Sequence, residues 1–277
     1  MADFEPLQSL REASPERYAA LLYTSERSRP ALATLHLFDL ELARIPSLVN
    51  EPVAGEIRLQ WWREVLSGER EGEGRSNPLG AALLDVISAN NLSMSGFGMM
   101  LDGRIADLYD DPFPTRTDLE AYCGQTRSAL FQLLLGIVSP EALKASADAS
   151  GHAGCAWGIG QILASAAMDR GRGRVRLPED LLKSAGGSVE DWLRAEDDAF
   201  LGRAVAAMVA LGEDHLAEAH SAIAQLPKET RSVYLPLAAA RLMLQTAERA
   251  GADVARVPHH VPPLRHQWAL LRAAMRS

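Results

Sequence analysis

Helix-start signals recur along this 277-residue chain, and almost nothing in it alternates like a strand. Ala, Leu, Glu and Arg, all strong helix formers, fill the segments between breaks. Ser14-Pro15-Glu16 sets a cap, a first-turn proline and an early acid in order, which opens a helix. Ser28 to Pro30 opens a second, stopped near Ile45 by Pro46, and a third is predicted over 52–66. The stretch 68–78 (GEREGEGRSNP) is predicted as a charged, glycine-rich loop. Helices follow over about 79–89 and 93–109, then a turn with Pro112 and Pro114. Thr117 or Asp118 is expected to cap a helix running to about Val138. Ser139-Pro140-Glu141 opens the next, to about Met168, and long helices are expected over 189–225, 229–250 and 263–275. With no repeat and no clear linker, residues 1–277 read as one all-α domain with helices packed around a central space.

Charge narrows the partners. The chain carries 28 Lys+Arg against 36 Asp+Glu, net −8, which argues against nucleic acid, whose phosphates need a basic stripe. Cys123 and Cys155 have no CxxC or zinc spacing and read as small buried residues in a reducing compartment. The start, MADFEPLQSLREASPERY, is charged and lacks the apolar run of a signal peptide. No charge-free apolar window of about 18 residues is present. The expected place is the cytoplasm, with peripheral contact at the inner face of the membrane left open.

Four blocks carry a resemblance. Arg17-Tyr18 precedes the helix Arg29 to Arg44, and RLQWWREVL (58–66) is followed by Asn77-Pro78-Leu79. DGRIADLYDDPFPTRTDLEAYCGQTRSALFQLL covers 102–134, and GRVRLPEDL ends at Leu181. In this order they resemble the squalene/phytoene synthases: the RY opening, an "R-x-x-WR-x-x-L … HP-x" block, a "G-x-x-x-D … L-x-x-YC" block and a GR-x-Y-LP-x-(D/E)-L tail. The resemblance implies the isoprenoid synthase fold, with helices 28–45 and about 153–168 facing each other across a central cavity. It also implies Mg²⁺ held by aspartates against a diphosphate.

The carboxylates for such a site are scarce. Mg²⁺ needs hard oxygen ligands to take up the leaving charge. Two aspartates at i and i+4 share a helix face and can share a metal. Asp39 and Glu41 in FDLELAR lie two apart, about 200° around the helix, and cannot. On the second helix Gln161 stands where the family keeps a glutamine. Ala164, Ser165, Ala166 and Ala167 replace its polar positions, which leaves Asp169 as the single acid. FDLELAR (38–44) with RLQWWRE (58–64) resembles a branch of the family that contains assembly factors for respiratory complex I. That resemblance implies a helper acting on complex I subunits or assembly intermediates, with an isoprenoid or other lipid in the old prenyl cavity. It implies no catalytic residue, no metal and no cofactor. The alternative is an active prenyl diphosphate synthase or transferase that uses Mg²⁺, and a third reading is a scaffold without ligand.

Nine residues are candidates to line the cavity or form a polar network: Tyr18, Asp39, Glu41, Arg44, Arg58, Trp62, Asp107, Tyr122 and Gln161. Glu41, Arg44 and Arg58 are expected to make a buried Glu–Arg network in place of a metal cluster, since an unpaired buried acid is costly. Asp107 and Asp111 form an i,i+4 pair, but Pro112 follows and a helix-end turn is the better account. Of Trp61 and Trp62, about 100° apart, one is expected in the core. Arg170, Arg172, Arg174 and Arg176 alternate in RGRGRVR and are candidates to hold an anion, a diphosphate or an acidic phospholipid head. The plainer reading is a solvated loop paired with Asp169, Glu179 or Asp180. The spacings of His215 with His220 and of His259 with His260 match no helical metal site, and solvated surface is expected for them.

Overall fold

Proline or a short polar side chain opens most helices of the structure, a computed structural model that describes residues 4–259 and 261–275. His260 lies outside the described residues. Among those described, every regular element is helical and no strand is present. α1 (Pro6–Ala13), α2 (Pro15–Leu21), α3 (Arg29–Arg44) and α4 (Pro52–Ser67) all start on a first-turn proline, whose missing N–H costs nothing there. α1 carries no cap signal and was not expected.

The expected loop 68–78 is largely helical. Gly68, with φ of 90°, ends α4, and α5 (Glu71–Ser76) follows directly. Ion pairs offset its glycines: Arg75 meets Glu71 at 2.9 Å and Arg70 reaches Glu64 at 2.6 Å. α6 (Pro78–Asn90) and α7 (Met94–Ile105) come next. Thr115, rather than Thr117 or Asp118, caps α8 (Arg116–Cys123), with Asp118 closing a reciprocal capping box. A π-helical turn, Gly124–Ser128, joins α8 to α9 (Ala129–Val138). Ser139-Pro140-Glu141 opens only a 3₁₀ turn, and α10 (Ala147–Gly171) starts later than expected.

The region predicted as one helix over 189–225 is two. After α11 (Glu179–Ser184), α12 (Val189–Arg194) stops where Ala195 takes φ of 54°. Asp197 then caps α13 (Asp198–Ala224) through the backbone N–H groups of Ala199 and Phe200. Pro236 likewise separates α14 (Lys228–Arg231) from α15 (Leu237–Ala250), and α16 (Pro263–Ala274) completes the described chain. None of these helices is long and apolar enough to cross a membrane.

α10 is the axis of the packing. It runs against α13 and α15 on one side and against the π-helical turn and α9 on the other, while α3 packs on α1, α6 and α9. Glycine permits the approach that matters for the site. A Cβ on Gly154 would meet Ser128 Oγ at 2.1 Å, and one on Gly158 would meet Cys123 Sγ at 2.5 Å. The two glycines, four apart on one face, let the 124–128 backbone lie directly on α10. Cys123 and Cys155 are free and buried, as expected. Phe38, Phe97, Phe131 and Trp192, all fully buried, fill the centre.

Candidate functional site

α3 buries Leu32, Leu35, Phe38 and Leu42, and the same face carries Asp39, which is 0% exposed. A carboxylate there has to be paired. Three guanidiniums converge on it. Arg17 Nη1 donates to Oδ2 at 2.7 Å, and Arg104 Nη2 donates to Oδ1 at 2.6 Å. Arg127 Nη1 bridges both oxygens at 2.7 and 2.8 Å. Arg127 sits on the π-helical turn, which together with Gly154 and Gly158 brings it against α10, where its Nε donates to Gln161 Oε1 at 2.7 Å. The Trp157 ring stacks under Arg17 and Arg127, with Cζ to centroid distances of 4.8 and 5.5 Å.

Asp107 forms a second centre. It accepts from Arg104 Nη1 at 2.8 Å, from Arg176 Nη2 at 2.6 Å and from the Tyr122 hydroxyl at 2.8 Å. Arg104 joins the two centres. Arg176 also lies 4.9 Å from the centroid of the Tyr122 ring. Burial by itself would raise the Asp39 carboxyl, but Arg127, Arg104 and Arg17 together outweigh it and hold the group well below the usual carboxylate range. Asp107, where burial is opposed by Arg176 and Arg104, is lowered to about 2. Burial pushes the Tyr122 hydroxyl up, with Asp107 adding to it. His36, one turn before Asp39, is fully buried with Nδ1 unpartnered; burial and then Arg17 lower it to about 3, so it is neutral near pH 7.

Above this floor opens a cleft of about 280 Å³ walled by α3 and α10, the two helices expected to face each other. Arg104, Arg127, Arg172, Arg174 and Arg176 line it, against Asp107 and Asp169. The net sign of the lining is positive, which favours an anion.

Asp39, Asp107, Tyr122 and Gln161 are therefore brought together, and the other five candidates are not. The expected Glu41–Arg44–Arg58 network does not form. Glu41 pairs with Arg44 at 2.9 Å on the surface, with Arg44 61% exposed, and Arg58 is exposed on α4. The period of α3 explains this: two residues after Asp39, Glu41 has turned away from the core. Tyr18 is half-buried against the core, away from the cleft. Trp62 packs edge-on to Phe38 at 5.2 Å in the core, whereas Trp61 is half-buried and donates to Glu73 at 3.1 Å. Asp107 and Asp111 share no helix face, because α7 ends at Ile105 and the chain is extended from Tyr109.

The basic segment divides. Arg170 turns inward to the carbonyls of Ala255 and Leu193 at 2.6 and 2.8 Å. Arg174 pairs with Asp110 at 2.9 Å and Arg176 with Asp107, neither of which was among the expected acids. Arg172 is exposed at the rim. His215 is not simply solvated: it meets His152 Nδ1 at 3.0 Å and Glu120 at 3.2 Å. Arg17, Arg104, Arg127 and His36 were not among the site candidates. Only His36, in the apolar run ALATLHLF, stands out as a polar residue in an apolar helical stretch; the three arginines have polar or charged neighbours and carried no such signal.

The sequence pattern of squalene/phytoene synthases matches residues 10–267. The chain belongs to the squalene/phytoene synthase family. Rat "NADH dehydrogenase (ubiquinone) complex I, assembly factor 6" is 28% identical over 249 residues, 90% of this chain and 74% of that protein. The 15-cis-phytoene synthase of Synechococcus elongatus is 27% identical over 297 residues, covering 98% and 95%. In structure, squalene synthase HpnC from Alicyclobacillus acidocaldarius aligns with a TM-score of 0.76 at 20% identity, over 90% of this chain and 94% of that one. A dehydrosqualene synthase aligns at 0.81 and 17%, over 98% and 94%.

For a squalene/phytoene synthase family member, the donor set here does not fit Mg²⁺. Both oxygens of Asp39 and both of Asp107 already accept from guanidiniums or Tyr122. Asp169, the remaining acid in the cleft, accepts from Ser165 at 2.7 Å. Among the described residues no group of three or more His, Cys, Asp or Glu side chains could hold a metal ion. A dication would have to displace arginines from a buried, net-positive site.

Proposed function

We propose that this protein is a non-catalytic member of the squalene/phytoene synthase family that assists the assembly of respiratory complex I. The saturation of Asp39 by Arg17, Arg104 and Arg127 carries the reading. Ionising an allylic diphosphate requires cations that gather on the leaving group. In this chain the first-motif aspartate instead serves as the internal counter-ion of three arginines, and the aspartate motifs have lost their metal-holding role. The names of the mammalian relatives support the second half of the proposal. The protein would act on complex I subunits or assembly intermediates, with an isoprenoid or other lipid placing an anionic head in the arginine-lined cleft. Its place would be the cytoplasm, with peripheral contact at the inner face of the membrane.

The second reading, a prenyl synthase using Mg²⁺, is favoured by the near full-length match to a cyanobacterial phytoene synthase. A clean deletion separates the two when NADH–quinone activity and isoprenoid lipids are assayed in the same cells. Lowered complex I activity with unchanged isoprenoids is the expected result. Normal respiration with missing isoprenoids would reverse the assignment. Purified protein should release no pyrophosphate from farnesyl or geranylgeranyl diphosphate in Mg²⁺; release that a chelator abolishes would establish the second reading.

A further inference from the structure

The last 24 residues of the sequence, 254–277, hold four arginines and no acid, in a chain of net charge −8. Half of this segment is α16. Its inner face is narrow: Leu270, 3% exposed, joins Ala20 and Leu235, with Ala273 alongside. The opposite face is apolar as well. Leu264, Trp268, Leu271 and Met275 are 70%, 61%, 38% and 71% exposed. At 100° per residue these four fall within about 60° of one another, as a straight stripe along the helix. Arg265 and Arg272 share one flank of that stripe, both exposed, and neither has a carboxylate partner among the described residues. On that flank α16, α15 and the end of α13 enclose a groove of about 460 Å³ with walls such as Ile223, Leu242 and Ala269, to which Arg241 and Arg272 contribute.

An apolar stripe that carries a tryptophan, flanked by unpaired arginines, has the composition of a helix that lies in a bilayer interface. Its apolar side chains enter the acyl boundary, the indole sits at headgroup depth, and guanidiniums pair with lipid phosphates. The charge selects this occupant. Unpaired arginines complement a continuous anionic surface, and the rest of this acidic protein would be held off that surface.

We infer that α16 docks the protein on anionic membrane surfaces, with Trp268 inserted at headgroup depth. This stands whether or not the assembly role does, because it concerns a different face from the arginine-lined cleft.

Flotation of the full chain with vesicles tests it. Phosphatidylcholine vesicles containing about a third phosphatidylglycerol should bind the protein at least about tenfold better than pure phosphatidylcholine, and salt should weaken the binding. Arg265→Ala with Arg272→Ala should weaken it roughly 30-fold, at about fivefold per arginine near such a surface. Trp268→Ser should weaken it and also abolish the extra fluorescence quenching by brominated acyl chains. All three positions are exposed, and an unchanged circular dichroism melt would confirm folding of the variants. Arg44→Ala with Arg58→Ala, exposed outside both the cleft and α16, should leave vesicle binding unchanged. The inference is overturned if the wild type ignores anionic vesicles at low salt. It is equally overturned if the Arg44/Arg58 variant loses binding as the α16 variant should, or if the α16 variants bind as the wild type does. Loss of a protein partner by α16 variants that bind no vesicle in the wild-type form would make this face a protein interface instead.

Discussion

Around Asp39 three guanidiniums are buried and each ends on a carboxylate oxygen, whereas along α16 Arg265 and Arg272 stand exposed with no carboxylate partner among the described residues. The residue type is the same and its role is reversed. Inside, burial makes an unpaired charge cost several kcal/mol, so each arginine is committed to an internal acid and the cluster fixes how four helical segments meet. Outside, an unpaired arginine costs almost nothing and stays available to an external anion. Arg172 and Arg174, at the rim of the cleft, fall between these limits: one is exposed, and the other is tied to an exposed aspartate.

The sharpest way to break this contrast is Asp39→Ala. It leaves three buried cations without their shared counter-ion and should cost about 3–5 kcal/mol in urea unfolding. A loss below about 1 kcal/mol would mean that the cluster is hydrated and not structural. Next comes pH. His36 folded is lowered to about 3, below its unfolded value, so the folded state binds fewer protons and stability falls as pH drops below about 6.5. Between pH 7 and 5 the wild type should lose about 2 kcal/mol more than His36→Leu. Parallel pH profiles for the two proteins would refute the burial of a neutral imidazole. The aspartates act in a lower window. Asp107, folded near 2, and Asp39, lower still, contribute stability above pH 4 that is lost as pH falls further.

Smaller effects test the edges of the cluster. Gln161→Ala removes one acceptor from Arg127 and should cost about 1 kcal/mol, since that arginine keeps Asp39. Glu41→Ala breaks a pair exposed on the surface and should change stability by less than about 0.5 kcal/mol. A loss near 3 kcal/mol there would restore the buried Glu41–Arg44–Arg58 network that the geometry excludes. Arg265→Ala and Arg272→Ala should be as neutral in unfolding as Glu41→Ala, which keeps their vesicle phenotype separate from folding.

Much of the fold was legible in the sequence because helix starts are local chemistry. Proline and caps at Pro30, Pro52 and Pro78 mark real first turns. The misplaced boundaries have local causes as well: Ala195 in a left-handed conformation, Pro236 between α14 and α15, and ion pairs that hold α5 in a helix despite its glycines. Half of the cleft was legible too. Asp39, Asp107, Tyr122 and Gln161 were on the candidate list, and their partners Arg17, Arg104 and Arg127 were not.

The sequence by itself determined that the chain is helical, that the four family blocks follow in order, and that Asp39 lies on the apolar face of its helix. Composition also makes the 254–277 segment basic, with four arginines and no acid, because composition needs no knowledge of neighbours. Only the tertiary structure decided which cations meet Asp39. Arg17, Arg104 and Arg127 lie 22, 65 and 88 residues away from it, and no local pattern ranks them above the chain's other arginines. Packing of α3 against α2 and α7, and of α7 against the π-helical turn that lies on α10, made that choice, since a buried carboxylate takes the donors that the backbone brings within about 3 Å.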